Sequence, residues 1–211
     1  MRVGADPTLL LLLFLAASTP AHAGDDPALR YRSGMQVTAA AYAGAAVGLG
    51  MTLGGDVRYA QEVDPRWVSQ GITSVGLLGL SFSTSMAGAG TLSAADALQG
   101  AGCSVNIAPG VAAQTIWYVS TGVDIVAAVA SAVRTEPETP AWAVAATSQY
   151  VGLAATGVRL GLSGVQVGLD RAAARRCPGV RPGPGPEAPS VGVGPWVSPD
   201  GFGVRMTVVG W

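Results

Sequence analysis

Four long segments with almost no charged residues are the feature that most constrains how this chain can fold. They cover residues 33–55, 67–98, 110–133 and 141–176, and all are rich in small residues and valine. Each is longer than the usual strand of ~5–6 residues and lacks sustained period-two alternation, so the sequence predicts four helices. Glycine opposes this by ~1 kcal/mol per residue in an isolated helix. Close packing between helices must therefore stabilise them.

The breaks between the segments are short and well marked. They read "DVRYAQEVDPRW", "QGAGCSVNIAPG" and "RTEPETP", and in the last of these Thr139 can cap the fourth helix while Pro140 takes its first position. Short connections favour antiparallel neighbours. The sequence predicts a mainly α fold, an antiparallel up-down-up-down four-helix bundle over residues 24–177.

The two cysteines test this topology independently. Cys103 lies in the link between the second and third helices, and Cys177 ends the fourth. An up-down-up-down bundle brings both thiols to the same end, as a disulfide with Cα atoms ~4.4–6.8 Å apart requires. We therefore expect a Cys103–Cys177 disulfide, which is typical of an exported protein.

The first 23 residues have the pattern of a secretory signal peptide. Arg2 supplies a basic region, residues 9–17 an apolar core, and Ala21-His22-Ala23 a small-x-small cleavage site. The apolar core is short for a membrane span of ~20 residues, which favours a cleaved leader over an anchor. We expect an exported protein of the bacterial cell envelope, either periplasmic or associated with a membrane.

After Cys177 the composition changes twice. Residues 178–189 are rich in Pro and Gly, which is typical of an extended linker. In residues 190–211, a Pro199-Asp200-Gly201 turn separates two β-prone runs and predicts a short C-terminal β-hairpin.

Polar residues on the third and fourth predicted helices recur at spacings of three, four and seven, which places them on one face of each helix. A soluble bundle shows an apolar stripe on a polar helix, whereas here a narrow polar stripe runs along an apolar cylinder. This favours helices that are at least partly membrane-embedded, with the stripes facing inward, over helices in water with the stripes facing outward. The predicted polar seam comprises Gln114, Tyr118, Thr121, Asp124, Thr156, Arg159, Ser163 and Gln166.

Arg159 is the one charge in the centre of the fourth segment, and Asp124 is its obvious partner. A turn near residue 137 would separate them by about nine residues along the helix axis, or roughly 13 Å. The register therefore predicts no direct ion pair unless the turn is asymmetric, and places Arg159 near Trp117, which offers a cation–π platform. The alternatives are an arginine in solvent and a functional charge in a pore or cavity.

Glycines four residues apart occur on the first and fourth helices. The pairs are Gly44/Gly48, Gly50/Gly54, Gly157/Gly161 and Gly164/Gly168. Such spacing lets backbones approach closely. It predicts that the first and fourth helices are close neighbours, or that glycine-faced helices mediate self-association.

The composition excludes several chemistries. The only histidine lies in the predicted leader, the chain has no lysine, and paired cysteines leave no thiol nucleophile. The carboxylate pairs Glu62/Asp64 and Glu136/Glu138 lie in connections beside prolines, where charges are usually solvated. We therefore predict no enzyme activity and no catalytic, cofactor-binding or metal-binding residues. The near-balanced net charge of -1 offers no footprint for nucleic acid.

Three functions remain compatible with the sequence. The leading hypothesis is a non-catalytic structural or assembly role in the envelope, with membrane lipid and an envelope protein or a second copy as partners. The first alternative is a pore-forming or transport component whose polar stripes line a conduit. The second is a soluble periplasmic bundle that binds an apolar ligand.

Overall fold

The computed structural model describes residues 26–62, 65–133 and 140–180 in full, and the backbone of two strands beyond them. The fold is mainly helical, as predicted, and the helices form a bundle. The predicted signal peptide and residues 181–189 of the predicted linker lie outside the described residues. The elements are α1 (Pro27–Ala60), α2 (Arg66–Gly100), α3 (Ala108–Val133), α4 (Pro140–Arg176), a 3₁₀ turn (Pro178–Val180), β1 (Ser190–Ser198) and β2 (Gly201–Val209).

Side chains and glycine mark the helix ends. The Asp26 carboxylate accepts the Ala28 N–H at 2.9 Å at the start of α1, and the Asn106 amide oxygen accepts the Ala108 N–H at 3.0 Å at the start of α3. Gly102 has a φ of 79°, a left-handed conformation that glycine adopts without strain, and it follows the end of α2.

Buried residues recur on every helix at alternating spacings of three and four. This 3.5-residue period is that of a left-handed coiled coil, but its positions hold small or polar residues where a soluble coiled coil has leucine. On α1 the buried set is Gly34, Thr38, Ala41, Ala45, Gly48, Thr52 and Gly55.

Glycine allows the backbones of α1 and α2 to touch. A Cβ atom added to Gly48 would lie 2.8 Å from the amide nitrogen of Leu80, and one added to Gly76 would lie 2.6 Å from that of Thr52. At the other end of the pair, a Cβ atom on Gly34 would lie 2.7 Å from the carbonyl oxygen of Gly90. The two helices are therefore antiparallel and in backbone contact along most of their length.

The prediction that the GxxxG pairs bring α1 and α4 into close contact is wrong, while self-association through them stays a prediction. Nothing lies within 4 Å of a Cβ atom built on Gly50, Gly54, Gly157 or Gly161, so these glycines face outward. The reason is that the residues which face the neighbouring helices recur every 3.5 positions on average. Two glycines four positions apart do not show whether they lie on this inward face. The first helix packs most extensively on the second, and it meets α4 through side chains.

The α1–α4 contact includes Tyr42, whose hydroxyl donates a 2.7 Å hydrogen bond to the Leu160 carbonyl. Helices that follow one another in the chain thus run in opposite directions. The end of α1, the start of α2, the end of α3 and the start of α4 lie at one end of the bundle, and the start of α1 and the end of α4 lie at the other.

The Cys103–Cys177 disulfide is confirmed, with Cα atoms 5.9 Å apart. We call this end of the bundle the disulfide end. Val180, which is 1 % exposed, packs there with Leu98 and Ala174. The bundle therefore extends to Val180, three residues beyond the predicted boundary, because the chain turns back onto the apolar cluster. The two strands pair antiparallel, with Ser190 opposite Val209 and Ser198 opposite Gly201.

We expect Gly48→Ala to destabilise the bundle by about 1–3 kcal/mol, because its methyl group would overlap the α2 backbone. Gly50→Ala is the matched control. It adds the same methyl group to open space, and its effect should stay within about 0.5 kcal/mol. Thermal unfolding followed by circular dichroism would compare the two. Equal midpoints would contradict the backbone contact.

Candidate functional site

The distribution of side chains in this protein is inverted. Among the described residues, the buried apolar side chains are mostly alanines, joined by a few larger ones such as Leu77, Leu80 and Leu98. The largest fully buried side chain belongs to Arg159. Exposed positions instead hold many large apolar residues, including Val119 at 79 % and Trp67 at 74 % exposure. A protein folded by burying apolar surface away from water would show the reverse.

The outer surface contains a long section without charge. On α1 no charged residue occurs between Arg32 and Asp56, and on α2 none occurs between Arg66 and Asp96. The shorter stretch, residues 33–55, is about 35 Å long at 1.5 Å per residue. The charges of α3 and α4 at this height, Asp124 and Arg159, are both buried. We call this belt around the bundle the charge-free zone.

An ion pair lies inside the charge-free zone. Arg159 Nη2 is 3.1 Å from Asp124 Oδ2, and the two side chains are 0 % and 6 % exposed. Ser81 of α2 donates a 2.6 Å hydrogen bond to the same carboxylate oxygen, and Arg159 Nη2 also donates to Thr156 at 2.6 Å. Gly152 faces Asp124 Oδ1, which a Cβ atom at that position would meet at 3.0 Å. The cluster joins α2, α3 and α4.

The prediction that Arg159 and Asp124 do not pair directly is wrong. The contact at Gly152 shows that Asp124 lies level with it, so Arg159 is seven residues, or about 10 Å, further along α4. Helical side chains lean toward their own N-terminus. Because α3 and α4 are antiparallel, the two side chains lean toward each other and close this gap. Trp117 instead makes an edge-to-face contact with Tyr118, with ring centroids 5.0 Å apart.

The predicted polar seam is mostly inside the bundle. Asp124, Thr156, Arg159, Ser163 and Gln166 are buried, while Gln114 and Thr121 are half-buried. Tyr118 does not belong to the seam, because it is 70 % exposed. Tyr118 is six residues before Asp124, so at about 100° per residue it lies about 120° away from Asp124 around α3. It is therefore outside the inner face, although it is only three residues from Thr121.

A second polar cluster lies near the end of the bundle that is opposite the disulfide end. Thr73 donates to Asp56 Oδ1 at 3.2 Å, and Gln149 Nε2 donates to Asp56 Oδ2. Asp56 thereby joins α1, α2 and α4. The sequence had placed Asp56 in a connection. The buried positions of α1 continue at their 3.5-residue spacing as far as Gly55, which indicates that the helix does not end before Asp56.

A third cluster lies at the disulfide end, beyond the charge-free zone. The Gln166 amide oxygen accepts the Gly110 N–H at 3.1 Å, and its nitrogen donates to the Asn106 carbonyl at 3.0 Å and to Asp170 Oδ1 at 2.8 Å. Burial raises the pKa of Asp170 from 3.8 to about 6, while the Gln166 hydrogen bond opposes this rise. The cluster fixes the start of α3 against α4.

Many of these groups hydrogen-bond one another, but several buried atoms of the polar seam and clusters have no partner. They are Arg159 Nε and Nη1, Gln114 Oε1, Ser163 Oγ and Asp170 Oδ2. No group of three His, Cys, Asp or Glu side chains suited to a metal ion occurs within the described ranges. The arrangement can hold the helices in register and keep charged groups inside an apolar surrounding. Searches against protein-family models, curated proteins and solved structures find no match to this chain.

We expect Asp124→Asn and Arg159→Met each to lower the free energy of unfolding by about 3–5 kcal/mol, because each leaves a buried charge without its partner. The double variant should lose less than the sum of the two. Asp96→Asn is the control, since it breaks the exposed Arg30–Asp96 pair, which should contribute at most about 1 kcal/mol. Single variants as mild as this control would contradict the role of the buried pair.

A pH dependence follows from Asp170. Its pKa is higher in the folded protein, so between pH ~4 and ~6 the folded state binds more protons than the unfolded state. Stability from this group is fully present below that window and falls by about 2–3 kcal/mol as the pH rises through it. Unfolding measured at pH 4 and pH 7 should show this loss. Asp170→Asn, which keeps an acceptor for Gln166, should remove that component, and an unchanged pH profile would contradict it.

Proposed function

We propose that this chain is an exported protein of the bacterial cell envelope whose four-helix bundle spans a membrane and serves a non-catalytic structural or assembly role. The observation that carries the proposal is the inverted distribution of side chains, with arginine inside and large apolar residues outside. Lipid is the surrounding in which this arrangement lowers the free energy, because apolar side chains face hydrocarbon and polar ones are kept away from it.

The dimensions of the bundle support a membrane location. Three helices, α1, α2 and α3, are long and apolar enough to cross a membrane. The charge-free zone, about 35 Å long on α1, matches a hydrocarbon core ~30 Å thick. The fourth helix carries more polar residues, but its buried face hides Gln149, Arg159 and Gln166 from the outside.

The interior supports a structural role. Asp56, Asp124 and Gln166 each link side chains or backbone of different helices, so the seam fixes how the helices align. The outer helix faces and the C-terminal hairpin would then contact lipid, an envelope protein or a second copy, the last two by helix packing or strand addition.

A pore or transport function is the second candidate. It is favoured by the polar clusters at three heights, around Asp56, Asp124 and Gln166, and by the unpaired nitrogens of Arg159. In that case Arg159→Ala and Asp124→Ala should abolish ion leakage from vesicles that contain the protein. Leakage that is absent in the wild type, or equal in the variants, excludes this function.

We expect the mature protein to stay with membranes through extraction by alkaline carbonate and high salt, and to require detergent for release. Spin labels at Val119→Cys and Val126→Cys in vesicles should collide more often with oxygen than with a water-soluble nickel chelate. A label at Arg176→Cys, beyond the charge-free zone, is the control and should favour the chelate. A monomer that dissolves without detergent contradicts the proposal and supports a soluble bundle that binds an apolar ligand.

A further inference from the structure

Charge is unevenly distributed between the two ends of the bundle. The disulfide end carries the exposed arginines Arg30, Arg32, Arg171, Arg175 and Arg176, against Asp26, Asp96 and the buried Asp170. At the opposite end, the described charges balance as Arg58 and Arg66 against Asp56 and Glu62, and the connecting sequences add Asp64 and, in "RTEPET", one arginine and two glutamates. Asp25, next to Asp26 in the sequence, adds one negative charge beside the disulfide end, where the arginines still outnumber the carboxylates. Only the disulfide end therefore has an excess of positive charge.

Two of these arginines lie on α4 beside Tyr31 of α1. Arg171 and Arg175 are one helical turn apart, so they share one face of α4, and Tyr31 packs on the apolar cluster that includes Ala174 and Cys177. Burial and Asp170 raise the pKa of the Tyr31 phenol, while Arg171 and Arg175 lower it. By contrast, Arg30 is already neutralised by Asp96, with Nη2 and Oδ2 2.5 Å apart.

The position of Tyr31 along the bundle matches the phosphate layer of a membrane. The charge-free zone of α1 begins at residue 33, so Tyr31 lies one turn or less beyond its edge. The polar headgroup layers add about 5–8 Å on each side of the hydrocarbon core. Exposed arginines at this depth meet lipid phosphates, which guanidinium groups bind through paired hydrogen bonds.

We propose that Arg171 and Arg175, together with Tyr31, form a binding site for the phosphate of an anionic phospholipid at the disulfide end of the bundle. The inference rests on the proposed membrane location. A leader cleaved after residue 23 would leave the start of α1, and with it the disulfide end, on the exported side of the membrane. The positive-inside tendency disfavours arginines there, and a lipid site accounts for them. Their partners are then anionic headgroups in the leaflet on that side.

The test uses the full mature chain in phosphatidylcholine vesicles that contain spin-labelled phosphatidylglycerol or spin-labelled phosphatidylcholine. Electron spin resonance gives the fraction of each label held at the protein surface. We expect the wild type to prefer phosphatidylglycerol, and each arginine removed in Arg171→Gln and Arg175→Gln to reduce that preference up to about fivefold. Higher salt should weaken it as well.

Three comparisons make the result specific. The matched charge removals Arg58→Gln and Arg66→Gln at the opposite end should leave the preference unchanged. The variants Arg171→Lys and Arg175→Lys should retain part of it, because they keep the charge but lose the paired hydrogen bonds of the guanidinium group. Equal binding of the two lipids by the wild type, or an equal loss in the opposite-end variants, overturns the site. Carbonate extraction in the same vesicles tests membrane insertion separately, so insertion without lipid preference refutes only this inference.

Discussion

The constraint on which the rest of this structure depends is the small size of the residues between α1 and α2. Where Gly48 and Gly76 face each other across the pair, the backbones are too close to admit even a methyl group. Large side chains therefore have little room between these helices, and many of the leucines and valines of the sequence lie on the outside. The interior that remains is lined by Ala, Ser and Thr, and it is small and polar. The outward apolar surface is thus a direct consequence of the tight interior.

This interior also explains how a buried arginine is accommodated. Asp124 and Arg159 lie on antiparallel helices, and each leans toward the other because side chains tilt toward the start of their own helix. Gly152 leaves room for the carboxylate, Ser81 donates a hydrogen bond to it, and Thr156 accepts one from Arg159. A buried ion pair gives little net stability over an apolar replacement, but it penalises any other alignment, since both charges would then lack a partner. The pair therefore specifies register more than it adds stability.

Much of this arrangement was predictable from residue types. The four helices, the disulfide and the inward location of Asp124 and Arg159 follow from charge-free segments, cysteine placement and polar periodicity. The direct contact of that pair was missed, because a count of residues from the turn ignores the direction in which side chains lean. The GxxxG pairs were misleading for a related reason. In a chain rich in glycine, spacing alone does not say which glycine faces a neighbour, and only the full 3.5-residue repeat separates Gly48 from Gly50.

The disulfide has a mechanical consequence. Cys177 closes α4, and its partner Cys103 lies in the link between α2 and α3, so a force applied to the chain after Val180 does not peel α4 away from its C-terminal end. The covalent bond passes the load into the α2–α3 link, and the chain between the two cysteines, which are 74 positions apart, is shielded from tension. A tail fastened in this way can be pulled by an attached partner while α3 and α4 stay folded.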